Sequence, residues 1–168
     1  MKRLIYLSVL VLAACGCGAK EGADTKAAAD STSVTPAFMA GRIHAMEDSI
    51  FEKPAFDRRG AVALLDVYKA YAKAYPLDSL APEYLVRAAG IQRNLKDPQA
   101  AVDIYDRVIR DYPNWPDVVA CYYQKALIYQ DDMKELGKAK QAYEEVIQRF
   151  PDHTFGKEAK VMIDNLQY

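Results

Sequence analysis

The 168-residue sequence has few of the residues that catalytic and metal sites require. It contains two histidines, His44 and His153, and lacks the Gly-x-Ser-x-Gly, His-Glu-x-x-His and phosphate-binding glycine motifs. A hydrolase needs a nucleophile, a base and an orienting group that converge on one point. The sequence therefore predicts a protein without enzymatic activity, metal ion or cofactor. We interpret His44 as a residue of a helix surface and His153 as a turn or cap residue.

The charges of the sequence show no marked excess of either sign. The 22 basic and 23 acidic residues give a net charge of −1 and are scattered through the chain. Binding to a phosphate backbone needs a basic stripe, so a nucleic acid partner is excluded. No stretch alternates apolar and polar residues long enough to predict a strand. With 51% apolar residues, the chain is expected to bury one core made of helices.

Cysteine is scarce, and its spacing predicts no disulfide framework. Cys121 lies between the apolar residues Val119 and Tyr122, which predicts a buried small side chain rather than a reactive thiol. Cys17 has no neighbours at metal-ligand spacing. A bond from Cys17 to a partner chain and a free thiol both stay open.

An apolar run from Leu4 to Ala14 follows the basic residues at the start of the chain. Its 11 residues match the core of a secretory signal and fall short of the roughly 20 residues that cross a bilayer. The run ends in Leu-Ala-Ala, and together with Cys15 these residues resemble the lipobox of bacterial lipoproteins. The resemblance implies cleavage after Ala14 and a diacylglyceryl group on Cys15. The alternative is an ordinary cleaved signal in which Cys15 is incidental.

Residues 15–34 are small or polar for the most part and include no aromatic residue, which predicts a disordered tether. The predicted organisation is therefore a signal peptide at 1–14, a lipidated tether at 15–34 and a helical domain at 35–168. Because Gly16 rather than aspartate follows the cysteine, the lipoprotein resemblance implies the outer membrane. The periplasmic leaflet is favoured, and Lys20-Glu21 leaves the cell surface open.

A 13-residue segment occurs twice in the chain, at 101–113 and at 139–151, with a fainter third copy at 64–76. A period between 20 and 50 residues indicates stacked supersecondary units. In the two clear copies an alanine, a tyrosine and a valine lie at i, i+4 and i+7, on one face of a helix. The proline that closes each copy ends the helix.

Seven helices are predicted in the domain, and no strand. Four of them have predicted N-caps, at Thr35, Asp57, Asp97 and Asn114. The others begin near Ala81, Lys134 and Thr154. The last helix, 154–166, is apolar on one side only, as expected for the end of a stacked array. The sequence thus predicts an all-α fold of three helix pairs and one closing helix.

The repeats resemble the tetratricopeptide repeat (TPR), in which antiparallel helix pairs stack into a superhelix. Ala101, Tyr105 and Pro113, with their counterparts 38 residues later, match the small, aromatic and proline positions of the second helix. The matching positions of the first helix are Ala89, Ala126 and, after one inserted residue, Tyr129. The resemblance implies a TPR-like α-solenoid of about three antiparallel helix pairs plus a C-terminal capping helix.

The sequence departs from the TPR pattern in three ways. Leu85 replaces the usual tryptophan, Gln92 stands at a tyrosine position, and the period is 37 to 38 residues rather than 34. Longer periods that end in Tyr-Pro or Phe-Pro are similar to TPR proteins of the barrel-assembly machine and the Tol-Pal system. The segment 75–85 resembles small lipoproteins of Bacteroidota.

TPR solenoids bind partners on the concave side, which the first helices line. By this resemblance the residues facing the groove are Arg93, Asn94, Tyr123, Gln130 and Asp131. The alternative is that these side chains are merely exposed or part of the packing.

The resemblance implies a membrane-anchored adaptor that binds an envelope protein or peptide, with a role in outer-membrane protein assembly as its specific version. The competing hypothesis, a periplasmic small-ligand-binding or enzyme-accessory protein, rests on the 12 tyrosines.

Overall fold

The computed structural model describes residues 34–52, 55 and 57–166. Within these residues the chain forms seven α-helices and one π-helical turn, and no strand. The helices are α1 (Pro36–Phe51), α2 (Arg58–Ala74), α3 (Leu80–Asn94), α4 (Pro98–Asp111), α5 (Val118–Leu127), α6 (Leu136–Arg149) and α7 (Thr154–Asp164). The π turn, Ile128–Asp132, continues α5 directly. The predicted signal peptide, the predicted lipidation site Cys15 and all of the predicted tether except Val34 lie outside the described residues.

Three of the predicted N-caps are confirmed. The Thr35 hydroxyl accepts a hydrogen bond from the Phe38 amide at 3.2 Å, and α1 begins at the next residue. Asp57 and Asp97 cap α2 and α4 in the same way, with Oδ1 to amide distances of 2.9 and 3.1 Å. Each cap satisfies a backbone donor that the first helical turn leaves without a partner, which fixes where the helix starts.

The predicted cap at Asn114 is wrong, because α5 begins four residues later at Val118. Two successive turns occupy this segment. The Trp115 amide donates to the Tyr112 carbonyl and the Val118 amide donates to the Trp115 carbonyl, each at 3.0 Å. Pro116 then stands where a helix starting at Asn114 would have its first interior residues. These turns thus occupy the segment in which Asn114 was predicted to start a helix.

Lys96 and Lys134 have the same unusual backbone conformation in successive repeats. Their φ angles are 68° and 58°, and among the described residues no other residue has a positive φ. Lys96 ends α3 in a Schellman motif, in which the Asp97 amide donates to the Gln92 carbonyl at 3.0 Å. A residue in this conformation cannot continue a right-handed helix, so α6 begins at Leu136 and not at the predicted Lys134.

Alignment to the TPR pattern required one inserted residue before Tyr129. The π turn, Ile128–Asp132, contains this insertion. The Met133 amide donates to the Ile128 carbonyl, five residues earlier, at 3.0 Å. This wider turn takes up one extra residue without ending the helix. Ile128 is buried, so the widened turn still contributes to the core.

Consecutive helices pack against one another in the order of the chain, so that α1 with α2, α3 with α4 and α5 with α6 form antiparallel pairs. Helix α7 packs on α6 and α5 and closes the array. The predicted all-α architecture of three pairs and a capping helix is therefore confirmed. Ala88 and Ala89 are fully buried in α3, as expected for small residues at a close helix contact.

Tyrosine is prominent among the large side chains of the core. Tyr68, Tyr71, Tyr84 and Tyr143 are all fully buried, and Tyr71 meets the ring of Tyr84 edge-on with ring centroids 4.7 Å apart. Aromatic pairs of this kind add to the stabilisation that area burial gives.

Candidate functional site

A groove of about 360 Å³ lies between α1 and α3, the first helices of the first two pairs. It is open to solvent along one side. Its walls combine apolar and polar groups: Glu47, Phe51, Tyr68, Arg87, Gly90, Ile91 and Asn94. The Phe51 ring is 70% exposed at the rim, and the Gly90 position on α3 carries no side chain. We call this surface the α1–α3 groove.

A buried carboxylate holds the polar wall of the α1–α3 groove together. Glu47 accepts hydrogen bonds from the Tyr68 hydroxyl and from Nη1 of Arg87, the latter at 2.5 Å. The second carboxylate oxygen lies 3.0 Å from Nδ1 of His44. Since these residues belong to α1, α2 and α3, the carboxylate fixes the relative positions of three helices.

The guanidinium of Arg87 is therefore oriented rather than free. Its Nη1 donates to Glu47, and its Nη2 donates to Glu83 at 2.5 Å. The ring of Tyr84 lies 5.8 Å from the guanidinium carbon. Because two carboxylates position it and part of it stays exposed, Arg87 presents a fixed cation to the groove.

Burial and hydrogen bonding act in opposite directions on these groups. Burial is the largest single influence on Glu47 and raises its pKa, but the hydrogen bonds from Tyr68 and Arg87, the charge of Arg87 and the contact with His44 lower the pKa below its usual value. The pKa of the Tyr68 hydroxyl is raised, first by burial and then by its bond to Glu47. At neutral pH the network therefore consists of a carboxylate, a guanidinium and a neutral phenol.

The structure brings together two of the residues predicted to bind a partner. Nε of Arg93 on α3 lies 2.5 Å from Oδ2 of Asp132, and Nη2 lies 4.0 Å from Oδ2 of Asp131. These contacts join α3 to the π turn. With the Glu47–Arg87 pair they form two ion-pair bridges between successive first helices.

Asn94 is exposed and lines the α1–α3 groove, next to Arg93 in sequence. Gln130 lies on the π turn, where its Oε1 accepts a hydrogen bond from the Tyr143 hydroxyl at 2.8 Å. The Gln130 side chain is thus already engaged with the second helix of its own pair. Contact of either residue with a partner stays a prediction.

Tyr123 has a packing role in the structure. Its side chain is 8% exposed and stacks on the ring of Phe155 from α7, with centroids 4.8 Å apart and an interplanar angle of 15°. The ring of Tyr143 lies 5.8 Å away on its other neighbour, α6. This burial agrees with the alternative that the sequence left open for the groove residues, and partner binding by Tyr123 stays untested.

The two histidines and Cys121 occupy the positions that the sequence predicted. His44 is exposed on α1, and His153 caps α7 by accepting a hydrogen bond from the Phe155 amide at Nδ1, 3.1 Å away. The Cys121 thiol is fully buried, and burial, followed by the nearby charge of Asp117, raises its pKa to about 12. Such a thiol is inert at neutral pH.

The described residues, 34–52, 55 and 57–166, contain neither a metal-ligand cluster nor a helix suited to span a membrane. No three histidine, cysteine, aspartate or glutamate side chains there are placed to hold a metal ion together. No helix in that part of the chain has the length and apolar character needed to span a membrane.

The Glu47–Arg87 network was missed by sequence reasoning, because 40 residues separate its two ions. One signal was present. Glu47 lies four residues after Ile43 and three before Ile50, on the apolar stripe of α1. A carboxylate on a buried helix face needs a partner. The position of Glu47 on this stripe therefore indicates a hydrogen-bond donor from another part of the chain.

Comparison with known proteins supports the repeat assignment. Residues 83–114 and 120–153 match the tetratricopeptide repeat family. The first segment covers most of α3 and all of α4, and the second covers most of α5, the π turn and α6, so each match corresponds to one helix pair. No curated protein matches the sequence significantly. The family match supports a tetratricopeptide repeat protein, and the described helices have the architecture of a TPR-like α-solenoid.

Proposed function

We propose that this chain is a lipid-anchored adaptor of the bacterial envelope that binds a protein or peptide partner in the α1–α3 groove. Tetratricopeptide repeats typically serve as interaction scaffolds without enzymatic activity, which supports the general role. The lipid anchor rests on the lipobox resemblance at Cys15. The outer membrane, with its periplasmic leaflet favoured, is the proposed location.

The observation that carries the binding proposal is the composition of the groove. An exposed aromatic ring, Phe51, stands at its rim beside a pre-oriented cation, Arg87, and an uncharged hydrogen-bonding side chain, Asn94. Aromatic and arginine side chains are the residues that contribute most to protein interfaces. An arginine held by its own protein loses less conformational freedom on binding than a free one.

Site-specific photo-crosslinking in the native cell tests this proposal. A photoreactive residue at position 94 or 51 should give a discrete crosslinked product that mass spectrometry identifies. The same residue at Val161, which is exposed on α7, is the matched control because it samples a surface away from the groove. Equal products from positions 94 and 161 would contradict binding in the groove.

The proposed anchor has an independent test. Mass spectrometry of the N-terminal peptide should show a diacylglyceryl group on Cys15, and Cys15→Ser should release the protein from membranes on washing. An unmodified cysteine would remove the anchor and leave the groove proposal standing. The specific role in outer-membrane barrel assembly predicts lower barrel-protein levels on depletion, and unchanged levels would contradict that role.

The burial of the tyrosines weighs against the competing small-ligand hypothesis, which stays a prediction. Seven tyrosines, at positions 68, 71, 84, 105, 122, 123 and 143, are buried in the contacts between helices. Their number is accounted for by packing. The α1–α3 groove is lined by only one of them, Tyr68.

A further inference from the structure

A second groove, of about 550 Å³, lies between two equivalent turns at one edge of the solenoid. The turns follow α2 and α4, and each begins with Tyr-Pro, 37 residues apart. The apolar residues of this surface, which we call the turn edge, are Pro76, Leu77, Pro82, Pro113, Trp115 and Pro116. Leu77 is 100% exposed, the most exposed of the large apolar side chains in the described part of the chain.

The turn edge is unusually poor in unsatisfied polar groups. Its prolines have no backbone N–H to desolvate. Asp78 accepts a hydrogen bond from the Leu80 amide at 2.9 Å. Asp111 is paired with Arg107 and Arg110, at 3.3 and 2.9 Å. The Asp111 carboxylate is thus paired with cations and the Asp78 carboxylate is hydrogen-bonded, so contact with a partly apolar surface leaves fewer polar groups without partners.

The described chain begins at this same edge. The Tyr75 hydroxyl donates a hydrogen bond to the Val34 carbonyl at 2.6 Å, so the start of α1 is held beside the turn that carries Leu77. The residues that precede Val34 therefore enter the domain at the turn edge. The 19 residues from Cys15 to Ser33 can reach at most about 65 Å when fully extended.

We propose that the turn edge rests on the membrane to which the chain is anchored, with Leu77 among the lipid chains and Trp115 at headgroup level. This inference rests on the proposed acylation of Cys15. The short connection keeps the turn edge close to one surface, the bilayer, at a high effective concentration. An exposed leucine beside tryptophan, tyrosine and proline matches the amphipathic character of a membrane interface. The contact orients the domain and leaves the α1–α3 groove for a partner.

Trp115 is the sole tryptophan of the chain and therefore reports on this contact directly. The acylated mature protein is reconstituted in phosphatidylethanolamine–phosphatidylglycerol vesicles, with or without phospholipids brominated on their acyl chains. Bromine quenches tryptophan fluorescence only at short range. We expect the brominated lipids to lower Trp115 emission about twofold, as for a tryptophan at headgroup level.

Leu77→Asp should abolish most of this quenching without unfolding the domain, since its side chain makes no buried contact. Val161→Asp, a change of the same kind at a 57% exposed position of α7, should behave like the wild type. Circular dichroism of both variants should match that of the wild type. Equal quenching in the wild type and Leu77→Asp would overturn the proposal.

The failures of the anchor and of the docking contact are distinguishable. Protein that stays on washed vesicles while Trp115 is unquenched would overturn the membrane contact alone. Protein that is released by washing would contradict the anchor, and this inference with it. A Trp115 that is unquenched by lipid and shifts its emission on addition of a purified envelope partner would place a protein at the turn edge and overturn the membrane proposal.

Discussion

Tyr68 and Tyr84 stack in the core with ring centroids 5.3 Å apart and an interplanar angle of 17°, but only one of the two hydroxyls is satisfied. The Tyr68 hydroxyl donates to the buried carboxylate of Glu47. The Tyr84 hydroxyl is buried and has no hydrogen-bond partner among the described residues. Two equivalent rings therefore differ in what their polar ends contribute.

Removing the two hydroxyls should change stability in opposite directions. Tyr84→Phe removes an unsatisfied buried group and should leave the free energy of unfolding unchanged or raise it by up to about 1 kcal/mol. Tyr68→Phe removes one hydrogen-bond donor from a buried carboxylate and should lower the free energy of unfolding by about 1–3 kcal/mol. Urea unfolding of both variants measures the difference. Equal effects would show that the Glu47 bond has no net value.

The lowered pKa of Glu47 predicts acid sensitivity. A carboxyl that binds its proton more weakly in the folded state than in the unfolded state stabilises the fold fully above the usual pKa of 4.5, and this stabilisation is lost as the pH falls through the folded pKa. Glu47→Gln should cost about 1–2 kcal/mol at neutral pH, because Arg87 is partly exposed and screened. It should also flatten the fall in stability below about pH 4.5.

Thermal unfolding as a function of pH tests the Glu47 prediction. Glu83→Gln serves as control, since Glu83 contacts the same arginine from a more exposed position. It should change neutral-pH stability by less than about 1 kcal/mol. If the stability of Glu47→Gln falls as steeply at low pH as that of the wild type, the acid sensitivity comes from other carboxyls.

Gly156 should not tolerate alanine. A Cβ atom at this position would lie 2.0 Å from the carbonyl oxygen of Phe150, so α7 packs on the preceding turn through a bare backbone. Gly156→Ala should destabilise by about 3 kcal/mol, in the upper range for overpacking. At Gly137 in α6 a Cβ would meet nothing within 4 Å, and Gly137→Ala should stabilise by about 0.5–1 kcal/mol. Denaturant midpoints of the two variants should therefore move in opposite directions from that of the wild type.

Glycine in place of Lys96 or Lys134, the two residues with positive φ, should stabilise the protein. Lys96→Gly and Lys134→Gly relieve a backbone conformation that costs a residue with a Cβ, and each should raise the free energy of unfolding by about 0.5–1 kcal/mol. Lys140→Gly, in the exposed interior of α6, is the control and should lower it by about 1 kcal/mol. Chemical unfolding of the three variants provides the test. Loss of stability in all three variants would mean that the conformational entropy lost by glycine on folding outweighs the relief of backbone strain.

The local features of this fold were predictable from sequence because they depend on neighbouring residues. The caps at Thr35, Asp57 and Asp97 need only a side chain and an amide within three residues. The inserted residue near Tyr129 was visible because a 38-residue repeat fixes the alignment. Its structure, a π turn, was not, since the repeat pattern reports a count of residues and not a hydrogen-bond geometry.

The candidate site was less predictable, because it depends on contacts between distant segments. Alignment to the TPR pattern placed Tyr123 at the groove, but the neighbouring Phe155 of α7 covers its ring. Conversely, Arg87 is a polar residue of an ordinary helix in the sequence, and its contact with the groove carboxylate Glu47 comes from 40 residues away. Residue type and spacing thus predicted the helices, whereas contacts between segments 40 residues apart could not be predicted from them.

The hydrogen bond between Tyr75 and Val34 has a mechanical consequence. A pull on the chain ahead of Val34 acts on the beginning of α1 and, through this bond, on the end of α2. This bond must therefore break before a pull on the chain can unwind the first turn of α1.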